Sequence, residues 1–332
     1  RRAADAVRLQ HDMKIAGIAG RAASRTLCEA HLRGYPVFTL TPPQSDDIVR
    51  RRISNPGRLD ELLAESDVLL DCTSSGNPTS RRHIYDAHPH LTVIVQGGEK
   101  HDFGNVSFNA FANYEQARYA KRVRVISCSS TGTTRVVFAL DNAFRLQNAF
   151  VALARRGADP GKPSKVPHNA LKPTMGPSHH APDVQTVLPH LDLFSMSCDV
   201  PTTFGHVLNI QADLNMRATR DDVISALDST PRIVVGDGPR TTAQLTQLYS
   251  SRGRTRGDRP EVYVWGSSVK TQGRTVFATF SVHMESITIP DTIDCIRAAL
   301  DLERDPWTSV HPTDSAMGFA KTPAPYQRRG RL

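Results

Sequence analysis

The sequence predicts an α/β protein in two parts: a parallel sheet covered by helices, then a domain with a mostly antiparallel sheet. Up to about residue 145, short apolar strands alternate with helices, which is typical of a parallel sheet with helices on both faces. Beyond that point apolar runs follow one another with few helices between them, and this favours antiparallel pairing. At 332 residues the chain is long enough for two such domains.

The first part consists of short elements whose strands end in small polar or glycine-containing turns. In order, the pattern predicts a helix at 3–9, a strand at 13–19, a helix at 22–32, strand 37–40, helix 59–64, strands 66–72, 92–98 and 124–127, and a helix at 136–144. Gly76, Gly98 and Cys128 each follow a strand end. We therefore expect them to converge on one crevice at the carboxyl edge of the sheet.

The second part is predicted from apolar runs that are typical of strands. They lie at 149–154, 207–210, 232–235 and 277–282, before a helix at 293–302. The stretch 160–180 is rich in Pro, Lys and His, which favours a linker or a functional loop, and 322–332 is predicted to be a basic tail.

Composition and charge restrict the classes of protein. No apolar run approaches the roughly 20 residues of a membrane helix, and the start has no signal-peptide pattern, so a cytoplasmic protein is expected. The five cysteines are far apart and form no Cys-x-x-Cys pair, which argues against a disulfide framework or a zinc site. The net charge of +8 suits an anionic partner. The basic runs are short and dispersed, so nucleic acid is not the expected partner.

The start of the sequence lacks a feature that a dinucleotide-binding fold normally has. Such folds open with a strand and a Gly-x-Gly-x-x-Gly turn, but neither precedes the first helix here. Gly17 and Gly20 follow a strand without having that spacing. We therefore expect that the first strand and the glycine loop are missing from this sequence.

The segment around Cys128 is the most informative for chemistry. A strand leads directly to Cys128, and a helix follows it. The positive end of the helix dipole is expected to lower the pKa of the thiol and favour the thiolate. Neighbouring hydroxyl and backbone N–H groups could hold an oxyanion or a phosphate. The alternative interpretation is a small, buried structural cysteine.

A thiol nucleophile needs an acid or base partner, and histidines are the candidates. His179 and His180 end the polar loop, whereas His206 follows Thr202 and Thr203. Hydroxyls beside an imidazole suit a phosphate or oxyanion site, so His206 is the stronger candidate. A surface or core histidine remains the alternative at each position.

Taken together, these segments resemble the archaeal-type (type II) phosphorylating glyceraldehyde-3-phosphate dehydrogenases. The resemblance extends in order and spacing over nearly the whole chain. It rests on Gln96-Gly97-Gly98-Glu99-Lys100, Asn113-Tyr114, Ser127-Cys128, Arg135, Arg155-Arg156 with Ala158-Asp159, Pro177-Ser178-His179-His180 with Asp183-Val184, Pro201-Thr202-Thr203, Thr230-Pro231-Arg232-Ile233-Val234 and His283 with Glu285-Ser286-Ile287.

The resemblance implies a Rossmann-type dinucleotide-binding domain, a catalytic domain and a C-terminal helix that returns to the first domain. We expect residues 1–127 and 285–332 in the dinucleotide-binding domain and 128–284 in the catalytic domain. The family oxidises glyceraldehyde 3-phosphate through a cysteine thioester, which inorganic phosphate releases as 1,3-bisphosphoglycerate. It also suggests a homotetramer and no metal.

The residue roles below are likewise implied by the resemblance. Cys128 corresponds to the nucleophile and His206 to a base that assists hydride departure. The residues expected to contact the sugar phosphate are Ser127, Cys128, Ser129, His179 and His180, and those expected to contact the cofactor are Gly98 and Arg156.

Cofactor choice can be argued from the end of the strand at 13–19. A carboxylate there would bind the adenosine 2′-OH and favour NAD, but this chain has no acid at that point. Arg21, Ser24 and Arg25 could instead bind a 2′-phosphate. We therefore expect NADP to be preferred, with NAD as the second cofactor.

Two positions differ from the family pattern. Ser129 replaces an asparagine that follows the nucleophile in the family. Met284 replaces a glutamine that is implicated in holding the nicotinamide amide. A thioether cannot supply both the hydrogen-bond donor and the acceptor of that glutamine. Two other functions therefore stay open. One is a paralogue that binds but does not turn over, and the other is a thiol-dependent semialdehyde dehydrogenase.

Overall fold

The computed structural model describes residues 1–20, 24–40, 53, 57–96, 98–158 and 163–319. Its helices are α1 Arg2–Arg8, α2 Arg25–Leu32, α3 Leu59–Ala64, α4 Asn77–Ser80, α5 Arg82–Asp86, α6 Cys128–Phe144, α7 His180–Gln185, α8 Arg220–Ser229, α9 Thr242–Ser251, α10 Ile289–Ala299 and α11 Pro306–Ala316. Its strands are β1 Ile18–Gly20, β2 Val37–Thr39, β3 Gly57–Arg58, β4 Val68–Asp71, β5 Thr92–Val95, β6 Val106–Phe108, β7 Arg122–Val125, β8 Leu146–Arg156, β9 Lys172–Pro173, β10 Asp192–Val200, β11 His206–Leu214, β12 Ile233–Gly236, β13 Val262–Trp265, β14 Lys270–Gln272 and β15 Thr275–Val282.

Two parallel sheets form the first part of the molecule. The smaller sheet has the order β1-β2-β3 and the larger one the order β4-β5-β7-β6, and every strand pair in both is parallel. All four residues of β5 are buried, as expected for a strand covered on both faces. The sheets and their helices are Rossmann-like, which confirms the α/β fold class predicted from the alternating pattern.

A mixed sheet of eight strands forms the second part. Its order is β12-β13-β15-β11-β8-β10-β9, and β14 pairs with β15. The pairs β12–β13 and β8–β10 are parallel, whereas the other pairs are antiparallel. One face packs on α6, α7 and α8 in a single apolar core that includes Val137, Val184 and Val223. The prediction of a mostly antiparallel sheet in an α+β part is therefore confirmed.

Helix α6 packs on the mixed sheet, and helix α10 packs on the larger parallel sheet. Gly132 of α6 approaches β15 so closely that a Cβ at this residue would lie 2.2 Å from Val282 Cγ1. Helix α10 returns to the first part, where Ile293 shares an apolar core with Val7 of α1 and Val123 of β7. The start of α6 consequently lies where elements of both parts meet.

Several predicted boundaries differ from the structure. The helix predicted at 136–144 begins earlier, at Cys128, and the strand predicted at 13–19 is β1, Ile18–Gly20. Strand β10 and helices α8 and α9 have no counterpart in the prediction, and β9 lies inside the stretch predicted to be irregular. The tail at 322–332 lies outside the described residues.

Candidate active site

Cys128 is the first residue of α6, three residues after the end of β7. Ser127 occupies the N-cap position, but its side chain makes no capping hydrogen bond. The first turns of α6 consist of small hydroxyl residues with weak helix propensity, and tertiary burial stabilises them, since Ser129 and Ser130 are fully buried. The N-terminus of α6 therefore presents a thiol and backbone N–H groups together.

His206 is the partner of this thiol. It begins β11, and its Nε2 lies 3.6 Å from Cys128 Sγ. Its Nδ1 accepts a hydrogen bond of 3.0 Å from the backbone N–H of Arg156, at the end of β8. Because Nδ1 is an acceptor, the proton of the neutral ring is on Nε2 and points towards the sulfur. This ring orientation makes His206 a donor to the thiol and does not support the base role expected from the sequence.

The pKa of the Cys128 thiol corrects a second expectation. Burial raises this pKa above its ordinary value, while hydrogen bonds from Ser129 and the charges of Arg156 and Arg155 oppose the rise. The helix dipole, which predicts a lowered pKa, is therefore outweighed by burial. Burial and then the two arginines also lower the pKa of His206 to about 3, so its imidazole is neutral.

The paired histidines lie at the start of α7. Their rings stack with centroids 4.1 Å apart, and His180 Nδ1 lies 2.5 Å from Ser178 Oγ. His180 is buried and His179 is exposed. Burial, then the neighbouring His179 and Arg155, lower the pKa of His180 to about 3, and His206 contributes to the same shift. The structure thus brings His180 and His206 to one crevice as neutral groups.

Arg156 connects three segments of the crevice. Its side chain donates to Glu285 Oε1 at 2.6 Å and to the Thr203 carbonyl at 3.3 Å. Met284, expected to be near the cofactor, is half-buried and directly precedes Glu285. Arg156 is therefore fixed by a carboxylate next to the position where the family pattern has its glutamine.

Gly98, which was expected at the cofactor, lies with Gly76 beyond the carboxyl ends of parallel strands. Gly98 follows β5 and Gly76 follows β4, both with positive φ (+78° and +86°). A Cβ at either glycine would meet nothing within 4 Å, so both backbones are open to a ligand. This open, glycine-containing edge has the form that a dinucleotide needs to approach the backbone.

A cavity of about 130 Å³ lies at the end of β1. Its lining includes Gly20, Ser24, Arg1, Arg33 and Tyr35. Ser24 is the N-cap of α2, where its hydroxyl accepts the N–H of Leu27 at 3.2 Å. Ser24, Arg1 and Arg33 thus place polar side chains at this cavity.

The other two residues expected at the ribose differ from Ser24. The side chain of Arg25 is 93% exposed and pairs with Glu29 at 3.4 Å, and it does not line this cavity. Arg21 lies outside the described residues. Arg33, which was assigned no role from the sequence, lines the cavity instead, although it also pairs with Asp5 at 2.8 Å.

Arg124 and Asp183 are site residues that the sequence analysis did not assign. Both are buried and form an ion pair of 2.5 Å beside the start of α6. Asp183 belongs to a segment that carries the family resemblance, but Arg124 is a cation between Val123 and Val125, which alternation assigns to a solvent-facing side. The partner on α7 becomes evident only in the folded chain.

Two kinds of feature are absent from the described residues. Among them, no group of three or more His, Cys, Asp or Glu side chains is placed to hold a metal ion. Nor does any helix in the described ranges have the length and apolar character needed to cross a membrane.

The fold and the site define the class of protein. Rossmann-like parallel sheets, a mixed sheet, and a thiol beside an imidazole at a helix start are the features of a dehydrogenase that uses NAD(P). The chain is an enzyme of this class.

Comparison with known proteins identifies the family. Residues 127–246 match the family model described as glyceraldehyde 3-phosphate dehydrogenase, C-terminal domain. Glyceraldehyde-3-phosphate dehydrogenase of Pyrobaculum neutrophilum is 39% identical over 96% of this chain and 93% of its own length. The Hyperthermus butylicus protein of that name is 37% identical over 97% of this chain and 94% of its own, and glyceraldehyde-3-phosphate dehydrogenase 2 of Methanosarcina acetivorans 36% over 96% of each. The chain belongs to the glyceraldehyde-3-phosphate dehydrogenase family, in its archaeal branch, as its motifs predict.

Proposed function

We propose that the chain oxidises D-glyceraldehyde 3-phosphate to 1,3-bisphosphoglycerate with NAD(P) and inorganic phosphate, with Cys128 as the nucleophile. The observation that carries this proposal is the pairing of Cys128 Sγ with His206 Nε2, 3.6 Å apart, at the N-terminus of α6. The names of the relatives above support the choice of substrate. The neighbouring arginines and backbone N–H groups suit its phosphate and the attacking inorganic phosphate.

The geometry supports a sequence that needs no protein base for hydride departure. The thiol first loses its proton to solvent, and the thiolate then adds to the aldehyde carbon to give a tetrahedral oxyanion. His206 Nε2–H and the first N–H groups of α6 stabilise that oxyanion. Loss of hydride from the same carbon re-forms the carbonyl as a thioester. Attack by a phosphate oxygen then releases the acyl phosphate and regenerates the thiolate.

The substrate phosphate is assigned to the side of the crevice formed by α7. His179 and His180 lie there, with Arg155 acting electrostatically on both. Ser127 and Ser129 flank the nucleophile on α6. The neutral imidazole of His180 can donate to a phosphate oxygen without carrying charge, because its pKa is about 3.

The cofactor is assigned to the carboxyl edge of the parallel sheets. Gly98 and Arg156 would hold its nicotinamide half and Ser24 its adenosine ribose, and when bound it accepts the hydride. We propose a preference for NADP over NAD. Support comes from the absence of an acid at the end of β1 and from Arg1 and Arg33 in the lining of the cavity there.

We further propose that four copies associate, and that the outer face of β8 and β10 forms one contact. Phe150 and Phe194 stack on this face with centroids 6.0 Å apart. The exposed fractions are 36% for Phe150, 48% for Phe194 and 47% for Met196. Such an apolar face is costly in water and suits the same face of a second copy.

A cytoplasmic location is part of the proposal, since all five cysteines are free thiols.

The test is formation of reduced cofactor from glyceraldehyde 3-phosphate and NADP, with and without inorganic phosphate. Cys128→Ser is expected to abolish turnover, whereas Cys198→Ser, which changes another half-buried free thiol, should keep it. Turnover that does not depend on phosphate would contradict the phosphorylating mechanism. A folded protein that binds NADP without turnover would instead indicate a paralogue that only binds. Faster turnover of a carboxylate-bearing semialdehyde would indicate the other dehydrogenase.

A further inference from the structure

A buried carboxylate replaces the missing cap at the start of α6. The N-cap side chain of Ser127 makes no capping bond, but its backbone N–H donates to Asp183 Oδ2 at 3.2 Å. Asp183 belongs to α7, three residues after His180. The turn that presents Cys128 is thus held by a residue on another helix.

Arg124 joins this carboxylate to the end of the parallel sheet. Its Nη1 lies 2.5 Å from Asp183 Oδ1 and 3.2 Å from the carbonyl oxygen of Glu99, and its Nε donates to Ser107 Oγ at 2.9 Å. Burial alone would raise the pKa of Asp183, but Arg124 with Ser130 and Ser127 lowers it, so the carboxyl is ionised. The buried pair is therefore neutral as a unit.

Glu99 extends the connection to the loops that face the cofactor. Its buried carboxylate accepts the N–H of Gly76 at 2.8 Å and the N–H of Lys100 at 3.1 Å. The loops after β4 and β5 are thereby tied through Arg124 and Asp183 to the first residues of α6. One network of hydrogen bonds spans both sides of the crevice.

We propose that Asp183 and Arg124 are positioning residues that hold Cys128 in its reactive geometry. Neither is assigned a contact with the substrate, and the inference rests on the proposed role of Cys128. Asp183 fixes the turn between β7 and α6. Its negative charge would by itself disfavour a nearby thiolate, and Arg124 cancels that effect. Turnover thus needs both groups, one for geometry and one for charge balance.

The test is Asp183→Asn in the full-length protein. Loss of the held turn is expected to lower kcat at least tenfold while KM for the aldehyde changes less than threefold. The variant also leaves the charge of Arg124 unbalanced beside the thiol. The pH midpoint for alkylation of Cys128 by iodoacetamide should therefore move to lower pH, although catalysis becomes slower. A role limited to stability would leave that midpoint unchanged.

Two further variants make the result decisive. Asp141→Asn changes the same residue type at the other end of α6, where Asp141 accepts the N–H of Leu146 at 2.9 Å and lies 3.1 Å from His190 Nε2. It should leave both kcat and the alkylation midpoint as in the parent. Arg124→Gln with Asp183→Asn removes both charges, so it avoids an unpaired buried ion and tests the proposal if the single variant does not fold.

The double variant is expected to restore the midpoint while kcat stays low. Parent-like kcat in Asp183→Asn or in the double variant would overturn the proposal, and so would an unmoved midpoint in a folded Asp183→Asn. Failure of the proposed function itself is distinguishable, because it would appear as no turnover in the parent protein or as undiminished turnover in Cys128→Ser.

Discussion

Replacing Gly132 by alanine probes how tightly the helix of the nucleophile is seated on β15. A Cβ on Gly132 would lie 2.2 Å from Val282 Cγ1, 3.5 Å from Val282 Cβ and 3.7 Å from Val262 Cγ2. Only the first distance is a clash, since ordinary carbon contacts are about 3.5–4.0 Å. Its relief needs a displacement of about 1.5 Å, by the helix or by the valine.

Gly132→Ala is expected to lower the free energy of unfolding by about 1–3 kcal/mol, the usual cost of overpacking a core. Cys128 lies about one turn earlier on α6, so a shift of about 1 Å should also lower kcat by about 100-fold. Urea unfolding gives the first quantity, and kcat of the fully folded variant gives the second.

Val282→Ala supplies the matched test, because it removes the clashing Cγ1 and leaves the ordinary contacts. The double variant Gly132→Ala with Val282→Ala is expected to regain most of the lost kcat. The reasoning is refuted if Gly132→Ala has the stability and kcat of the parent. It is also refuted if the double variant is no more active than Gly132→Ala.

Three other predictions follow from the site and the sheet face. Between pH 6 and 8 the alkylation rate of Cys128 should rise about tenfold per unit without a plateau, because burial raises the pKa of the thiol and the pKa of His206, about 3, lies below this window. Ser24→Asp should shift preference from NADP towards NAD by at least tenfold in the ratio of kcat/KM values, because aspartate keeps the cap of α2 and repels a 2′-phosphate. Phe194→Lys should dissociate the proposed tetramer in analytical ultracentrifugation, since it places a charge on the proposed apolar contact of β8 and β10.

Each of these predictions has a control and an opposing result. A rate plateau below pH 7 would show that the thiol is already ionised there. Ser24→Asn keeps the cap without charge and should leave cofactor preference within about threefold of the parent, so equal effects of Asn and Asp would exclude the electrostatic argument. Phe204→Lys changes an equally exposed phenylalanine away from β8 and β10 and should leave the assembly intact. A Phe194→Lys protein that stays assembled would place the contact elsewhere.

Strand β5 was predictable because it is buried on both faces and its sequence is an apolar run. Helix α3 was predictable from the spacing of its apolar residues, and the structure gives it the predicted bounds 59–64. The early start of α6 was not predictable, since its small hydroxyl residues favour turns and are helical here through burial. Strand β10 has the alternation of a half-buried strand but was not predicted, because its outward residues Phe194 and Met196 are apolar too.

The site was predictable as residue types in an order, but not as electrostatics. Cys128 and His206 could be named from their neighbours in the chain and from the family pattern. The direction of the thiol pKa shift depends on how much water the fold excludes, and the tautomer of His206 depends on the Arg156 N–H. The thiol pKa shift and the tautomer of His206 both depend on segments that are far apart in the chain, so no local sequence pattern predicts them.

The crevice separates the charges that attract the substrate from the group that reacts. The pKa values of His180 and His206 are about 3, so neither carries charge at neutral pH. In the proposed function, attraction for a phosphate comes from Arg155, Arg156 and the N–H groups of α6. The same arginines lower the thiol pKa that burial raises, which lets the site exclude water from the oxyanion and still form the thiolate.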